Sequence, residues 1–224
     1  MIVPARWDLL FGRTAPLVLD VGCGSGLFLL DSARRRPELD HLGIELNRPL
    51  LERAAVAAAG IPNLKMLCGD AVEMLATQVA PASVDELHVY HPQPYRDPRE
   101  QHLGMLSERF LDRARLVLKP TGTFFVQTDS RPYAAYLLEA LPRHFRVEIQ
   151  EGPWPDAPSG RTQREGVAIR KGLTILRLRA FPREQPAEGE PPRPYFERGG
   201  IKRRHDRRRP GAVGAVRLPS ASTD

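Results

Sequence analysis

The stretch LVLDVGCGSGLFLLDSARRR (residues 17–36) decides the fold class. A short run, Leu17 to Val21, apolar but for Asp20, ends in glycines and passes directly into residues with helical spacing. Runs this short and continuous suit strands buried on both faces of a parallel sheet. Gly22, Gly24 and Gly26 let the backbone turn sharply and let a ligand approach without meeting Cβ atoms. Working outward, HLGIEL (41–46), LKMLC (64–68), ELHVY (86–90) and TFFVQT (123–128) read as strands of the same kind. Helical patterns separate them. FLLDSARRR (28–36) follows the glycines; PLLERAAVAAAG (49–60) has Asn47 placed as its cap, Pro49 in the first turn and Gly60 as its stop. Leu106, Phe110, Ala114 and Val117 predict another helix, and Tyr133, Leu137 and Leu141 a further one. Near the end TILRLRA (174–180) alternates, with Leu176, Leu178 and Ala180 on one side and Arg177 and Arg179 on a wetter one, which predicts an antiparallel strand. Strand–helix–strand repetition predicts an α/β doubly wound sheet. In such sheets ligands bind beyond the carboxyl ends of the strands, where the strand order reverses.

Composition narrows the class. The chain has 224 residues, 42% hydrophobic and 27% charged, with 22 prolines. That is enough for one domain with a real core, and too apolar for a disordered protein. No apolar run reaches membrane-span length, and MIVPARWDLLFG lacks the pattern of a secretory signal. The two cysteines, Cys23 and Cys68, suggest no disulfide framework, so a cytoplasmic protein is expected, with no membrane association. The six histidines show no metal-ligand spacing and the cysteines do not join them, so no metal is expected. The formal charge is +6, of which residues 182–224 carry +4 through ten basic and six acidic residues. The reading is a folded domain over 1–181 and a basic, disordered tail over 182–224, suited to attracting a polyanion. HPQPYRDPREQHLG (91–104) and GPWPDAPSGRTQREG (152–166) are too long for mere connectors, which marks them as functional. Their cations, Arg96, Arg99, Arg161, Arg164, Arg170 and Lys171, read as phosphate contacts; Tyr95 reads as a platform on which a base can stack, and Trp154 equally as such a platform or as a core or rim residue.

Acids punctuate the strand ends. Asp20 precedes the glycines, Glu45 closes the second strand where it can accept from ribose hydroxyls, and Asp70 follows the third where it can meet an adenine amine. Each alone reads equally well as a solvated strand end or a helix cap; the series of three reads as a binding site. Cys23 reads as a small filler, since no charge that would activate it is nearby in sequence.

The series resembles class I S-adenosylmethionine-dependent methyltransferases. With W-x-x-x-F-G (7–12), DVGCGSGLFLL (20–30), GIEL (43–46), GDA (69–71), HPQPY (91–95), FLDRARLVLKPTGTFFVQTD (110–129) and GRTQREG (160–166), it resembles the bacterial tRNA (guanine-N7-)-methyltransferase family over residues 7–180. The resemblance implies a Rossmann-like, doubly wound, mostly parallel seven-stranded sheet with an antiparallel C-terminal strand. It implies methyl transfer from S-adenosylmethionine to guanine N7 in tRNA, in the variable loop, by a monomer or homodimer. Asp20, where the family usually has Glu, would hold the donor with Gly22, Gly24, Gly26, Glu45 and Asp70. Gln93, in the P-x-P loop, would close over the methyl group. Tyr95, Arg96, Asp129, Thr162, Arg164 and Glu165 would meet the tRNA. The family's Pro-Asp-Pro-Trp is here Pro92-Gln93-Pro94-Tyr95, so an amide stands at the catalytic acid position. Guanine N7 carries a free lone pair, so no proton has to leave before it attacks. Positioning for in-line displacement then supplies most of the catalysis, and Gln93 retains a neutral acceptor for orienting the base. The residues alone leave open another RNA or small-molecule methyltransferase, or a weakly catalytic tRNA-binding protein that keeps the cofactor pocket.

Overall fold

The run that opens the glycine loop is β1 (Leu17–Val21), an interior strand of a seven-stranded sheet in a computed structural model that describes residues 5–92 and 105–192. The other strands are β2 (Asp40–Glu45), β3 (Leu64–Cys68), β4 (Val84–Tyr90), β5 (Leu118–Thr128), β6 (Phe145–Ile149) and β7 (Leu176–Pro182). The helices are α1 (Trp7–Phe11), α2 (Leu27–Arg35), α3 (Arg48–Ala57), α4 (Ala71–Thr77), α5 (Glu108–Val117), α6 (Arg131–His144) and α7 (Gln163–Arg170). The sheet order is β3-β2-β1-β4-β5-β7-β6, and the first five of these pair in parallel. β7 inserts between β5 and β6 and runs antiparallel to both. The expected doubly wound, mostly parallel sheet with an antiparallel last strand is therefore the observed one. Strand order reverses between β1 and β4, and the ligand side lies beyond their carboxyl ends.

Local chemistry accounts for most boundaries. Asn47 caps α3 by accepting from the Leu50 amide, and Ser107 caps α5 through Phe110. Several elements were not anticipated. β6 has the alternating sequence FRVEI, with only Phe145 fully buried, as suits an edge strand. α1, α4 and α7 are each eight residues or shorter, too brief for periodicity to stand out. α7 also shortens what the sequence presented as one loop over 152–166.

The period-2 alternation of the strands separates two unlike faces. Leu17, Leu19, Leu42, Ile44, Leu87, Val89, Phe124, Val126 and Leu178 meet α4, α5 and α6 in one apolar core. The opposite face carries Val18, Asp20, His41, Glu86, His88, Tyr90, Phe125, Gln127 and Arg177 beneath α2, α7 and the 152–162 segment. Arg177 was expected on a wetter side; it is buried, because α7 covers it and supplies Glu165 as its partner. Beyond β7, Arg115 donates to the Glu184 carbonyl and Arg143 to those of Gly189 and Glu190, which holds residues 183–190 against α5 and α6. The expectation of a disordered tail falls, from residue 193 onward, outside the described residues.

Candidate active site

Three acids converge at the ends of β1, β2 and β3. Gly22, Gly24 and Gly26 all take left-handed φ, at 73°, 58° and 69°, conformations that only glycine adopts freely. A Cβ on Gly26 would lie 2.5 Å from the Met66 methyl carbon. The loop is tied to the next strand by Gly22 and Cys23 amides donating to the Ile44 carbonyl, 2.8 and 3.1 Å. Glu45 draws the two together from its side chain: one oxygen accepts from the Gly24 amide at 2.9 Å, the other from the Asn47 amide at 2.8 Å. A carboxylate has about four lone-pair sites, so the remainder can still meet a diol. Asp70 caps α4, accepting from the Val72 and Glu73 amides through one oxygen and leaving the other unengaged by that cap. Both readings of Asp70, cap and ligand contact, are thus compatible in one side chain.

Asp20 differs from its companions. It is 3% exposed. Burial, reinforced by the charge of Glu45 and opposed by Arg161, pushes its carboxyl up to about 8. An anionic pocket left short of positive charge is suited to a cationic ligand, whose arrival would return the group to its ionised form. The Cys23 thiol is raised too, first by burial and then by Asp20 and Glu45. It lies over Gly43, where a Cβ would come within 2.8 Å of its sulfur, so it fills space.

A second cluster gathers across the switch point, at the ends of β4 and β5. Asp129 accepts from Arg164 Nη2 at 2.9 Å and from Nδ1 of His91 at 3.0 Å. Burial alone would raise the Asp129 carboxyl; the hydrogen bonds of Arg164 and His91 outweigh it and hold it below the usual carboxylate range. Thr162 caps α7 by accepting from the Glu165 amide. Glu165 is completely buried. One of its oxygens takes Arg177 Nε at 2.7 Å; the other takes Gln127 Nε2 at 3.0 Å and the Arg161 amide at 2.7 Å. The T-x-x-E signature therefore acts in this structure as a helix cap and an internal anchor, and Asp129 and Arg164 are the members of the set at the surface side. Arg164 is 58% exposed at its side chain while bonded to Asp129. Arg170 and Lys171 are exposed at the far end of α7.

The structure decides two readings of the 152–166 stretch. Of the two roles open to Trp154, core and stacking platform, it takes the first: it is 1% exposed and donates Nε1–H to Gln127 at 2.6 Å. Arg161 is no phosphate contact on the rim. Its guanidinium is held by Asp156 and by the Tyr90 hydroxyl at 2.6 Å, with its carbon 4.4 Å from the Trp154 ring centre. From Tyr90 a polar chain continues inward through His88, Glu86 and Arg36 to Ser32 and His41. Burial pushes His88 and His41 down to about 4, so both are neutral at pH 7. Sequence reading missed this chain, although Glu86, His88 and Tyr90 at every second position of ELHVY were its signal. It missed His91 and Gln127 as well. Gln93, Tyr95, Arg96 and Arg99 lie outside the described residues.

The chain is similar to known proteins in the same region. Residues 14–178 match the family described as "Putative methyltransferase". The chain is 34% identical over 185 residues to the tRNA (guanine-N(7)-)-methyltransferase of Pseudomonas putida, covering 78% of this chain and 76% of that one. It is 38% identical over 142 residues to the protein of the same name from Edwardsiella ictaluri, covering 62% and 60% respectively. Among solved structures, the 16S rRNA methyltransferase KamB superposes with a TM-score of 0.59 at 19% identity, over 82% of this chain and all of that one. At that identity the likeness concerns the fold.

Proposed function

The chain belongs to the tRNA (guanine-N7-)-methyltransferase family, and on that premise we propose that it transfers a methyl group from S-adenosylmethionine to N7 of a guanine in the variable loop of tRNA. The observation that carries the reading is the placement of Asp20, Glu45 and Asp70 at three consecutive strand ends around a glycine loop, next to the switch point of the sheet. The residues fit the donor: a buried acid short of positive charge for its cationic end, a carboxylate with spare acceptor sites for its diol, and backbone opened by glycine. When bound, the donor supplies a methyl group activated by a sulfonium. Asp20 offsets positive charge in a water-poor pocket, and the glycine loop and Glu45 fix the donor's orientation. The guanine needs no general base, because its N7 lone pair is already free. The remaining work is orientation, assigned to Gln93 as a neutral acceptor and to Tyr95, Arg96, Asp129, Thr162, Arg164 and Glu165 around the acceptor nucleotide. Thr162 and Glu165 serve this by holding α7, and with it Arg164, in place. The basic tail fits the same partner as an electrostatic arm, and no helix among the described residues is long and apolar enough to cross a membrane.

The deciding experiment incubates the purified chain with methyl-labelled S-adenosylmethionine and tRNA lacking 7-methylguanine. Label is expected at guanine N7, and Glu45→Ala is expected to weaken donor binding at least tenfold, the order for losing hydrogen bonds to a charged acceptor. Label in small metabolites instead, or tRNA binding without transfer, overturns the reading.

A further inference from the structure

We propose that His91 is a positioning residue for methyl transfer: held as its neutral Nδ1–H tautomer, it locks the end of β4 to Asp129 and, through Gln127, to α7, and its protonation breaks the link to Gln127 and α7. The proposal rests on the reading of the site given above. His91 has a φ of 49°, a left-handed backbone uncommon outside glycine. It directly precedes Pro92-Gln93-Pro94, and a residue before proline is ordinarily extended. Strained backbone of this kind persists where the surroundings over-determine it, and it concentrates at functional sites.

The surroundings here are fully specified by chemistry. The His91 amide donates to the Gln127 carbonyl at 2.8 Å. Trp154 Nε1–H can only donate, so the atom of Gln127 that it meets at 2.6 Å is the amide oxygen. The Glu165 carboxylate accepts, so the Gln127 NH2 faces it at 3.0 Å. The same NH2 lies 3.0 Å from His91 Nε2, which must therefore present a lone pair. The ring proton is left on Nδ1, 3.0 Å from Asp129 Oδ1. Two neighbours thus dictate one tautomer.

Protonation would set Nε2–H against the Gln127 NH2. Rotating the Gln127 amide offers no escape, since its NH2 would then meet Trp154 N–H and its oxygen would meet the Glu165 carboxylate. The charges facing the ring agree with this on balance. Burial lowers its pKa first, Asp129 just beyond β5 and Glu165 on α7 oppose, and Arg164 on α7 adds to the lowering, which leaves the ring below the ordinary histidine range. Arg177 on β7 and the backbone amide of Arg161 act through Glu165.

Two measurements on the full chain test this. In histidine 15N–1H long-range correlation spectra at pH 7.5, the signal lost in His91→Asn is expected to be a neutral Nδ1–H ring; an Nε2–H or charged ring overturns the proposal. In methyl transfer at saturating donor, wild type is expected to lose at least threefold between pH 7.5 and pH 5. His91→Asn keeps a donor for Asp129, tolerates left-handed backbone and cannot titrate, so its rate is expected to change less than twofold over that range. Donor affinity of the two proteins is expected to show the same pH dependence. An acid limb shared by both proteins overturns the proposal. Wild type that transfers no methyl group at any pH would fail the functional reading instead, and the tautomer measurement would still decide the role of His91.

Discussion

On the face of the sheet covered by α4, α5 and α6, Leu19, Leu87, Val89, Phe124 and Val126 meet Phe110, Leu111 and Leu137 with no polar side chain needed between strand and helix. On the other face the same strands present Asp20, Glu86, His88, Tyr90, Gln127 and Arg177, and nearly all of these are hydrogen-bonded to a named partner. The exception is instructive: among these, Asp20 alone is left with a carboxyl pushed up by burial. The apolar face needs only volume and shape, because dispersion and water exclusion are non-directional. The polar face needs specific partners, because a buried polar group costs stability unless its hydrogen bonds are made. A binding site has to be drawn from the second kind of surface, where one group is left for the ligand to complete.

If that contrast is right, the largest effect comes from splitting a pair on the polar face. Arg177→Met strands the buried Glu165 carboxylate and is expected to cost about 3–5 kcal/mol in denaturant unfolding. Glu165→Gln combined with Arg177→Met is expected to recover most of it. A single variant that costs under about 1 kcal/mol would show that pairing is not obligatory there. On the apolar face, Leu137→Ala is expected to cost about 3 kcal/mol from lost contacts and a residual cavity, equally at pH 6.5 and pH 8. A pH-dependent cost would break the contrast from the other side.

The third effect separates the faces by pH. His88 and His41, near 4 folded against 6.5 unfolded, bind fewer protons in the folded state, so their contribution grows as pH rises from about 4 to 6.5 and is complete above that. Asp20 has the opposite sign. Near 8 folded against 3.8 unfolded, it keeps a proton that the unfolded chain has lost, so stability falls as pH rises towards 8. Unfolding free energy is expected to peak near pH 6.5 and to drop by about 2 kcal/mol by pH 8, the work of holding one proton over that interval. Asp20→Asn should remove the drop. If it persists in the variant, the strain does not reside at Asp20.

How far these features were legible follows the same division. The strand runs at 17–21 and 64–68 were readable to the residue, because each is a short, mostly apolar run bounded by turn residues. The caps at Asn47 and Asp70 are local, made within three residues of the capping group, and Asn47 was read directly. The three acids were legible because the glycine loop fixes where each strand ends. Arg177 and Arg161 were misread, and Trp154 was left between a core and a stacking role, all for one reason. Each carries a polar group that usually faces water, and each is buried by an element distant in sequence: Arg177 by Glu165, Trp154 by Gln127, Arg161 by Tyr90.

The order of apolar runs, helix caps and glycines thus determined the doubly wound sheet and the carboxylates at its ligand edge, since those depend on contacts between residues near in the chain and on side-chain periodicity. Tertiary structure decided which polar residues are partners and which remain for a ligand. Hydrogen bonds are directional and short in range, so that assignment exists only once β4, β5, β7 and α7 have been brought together.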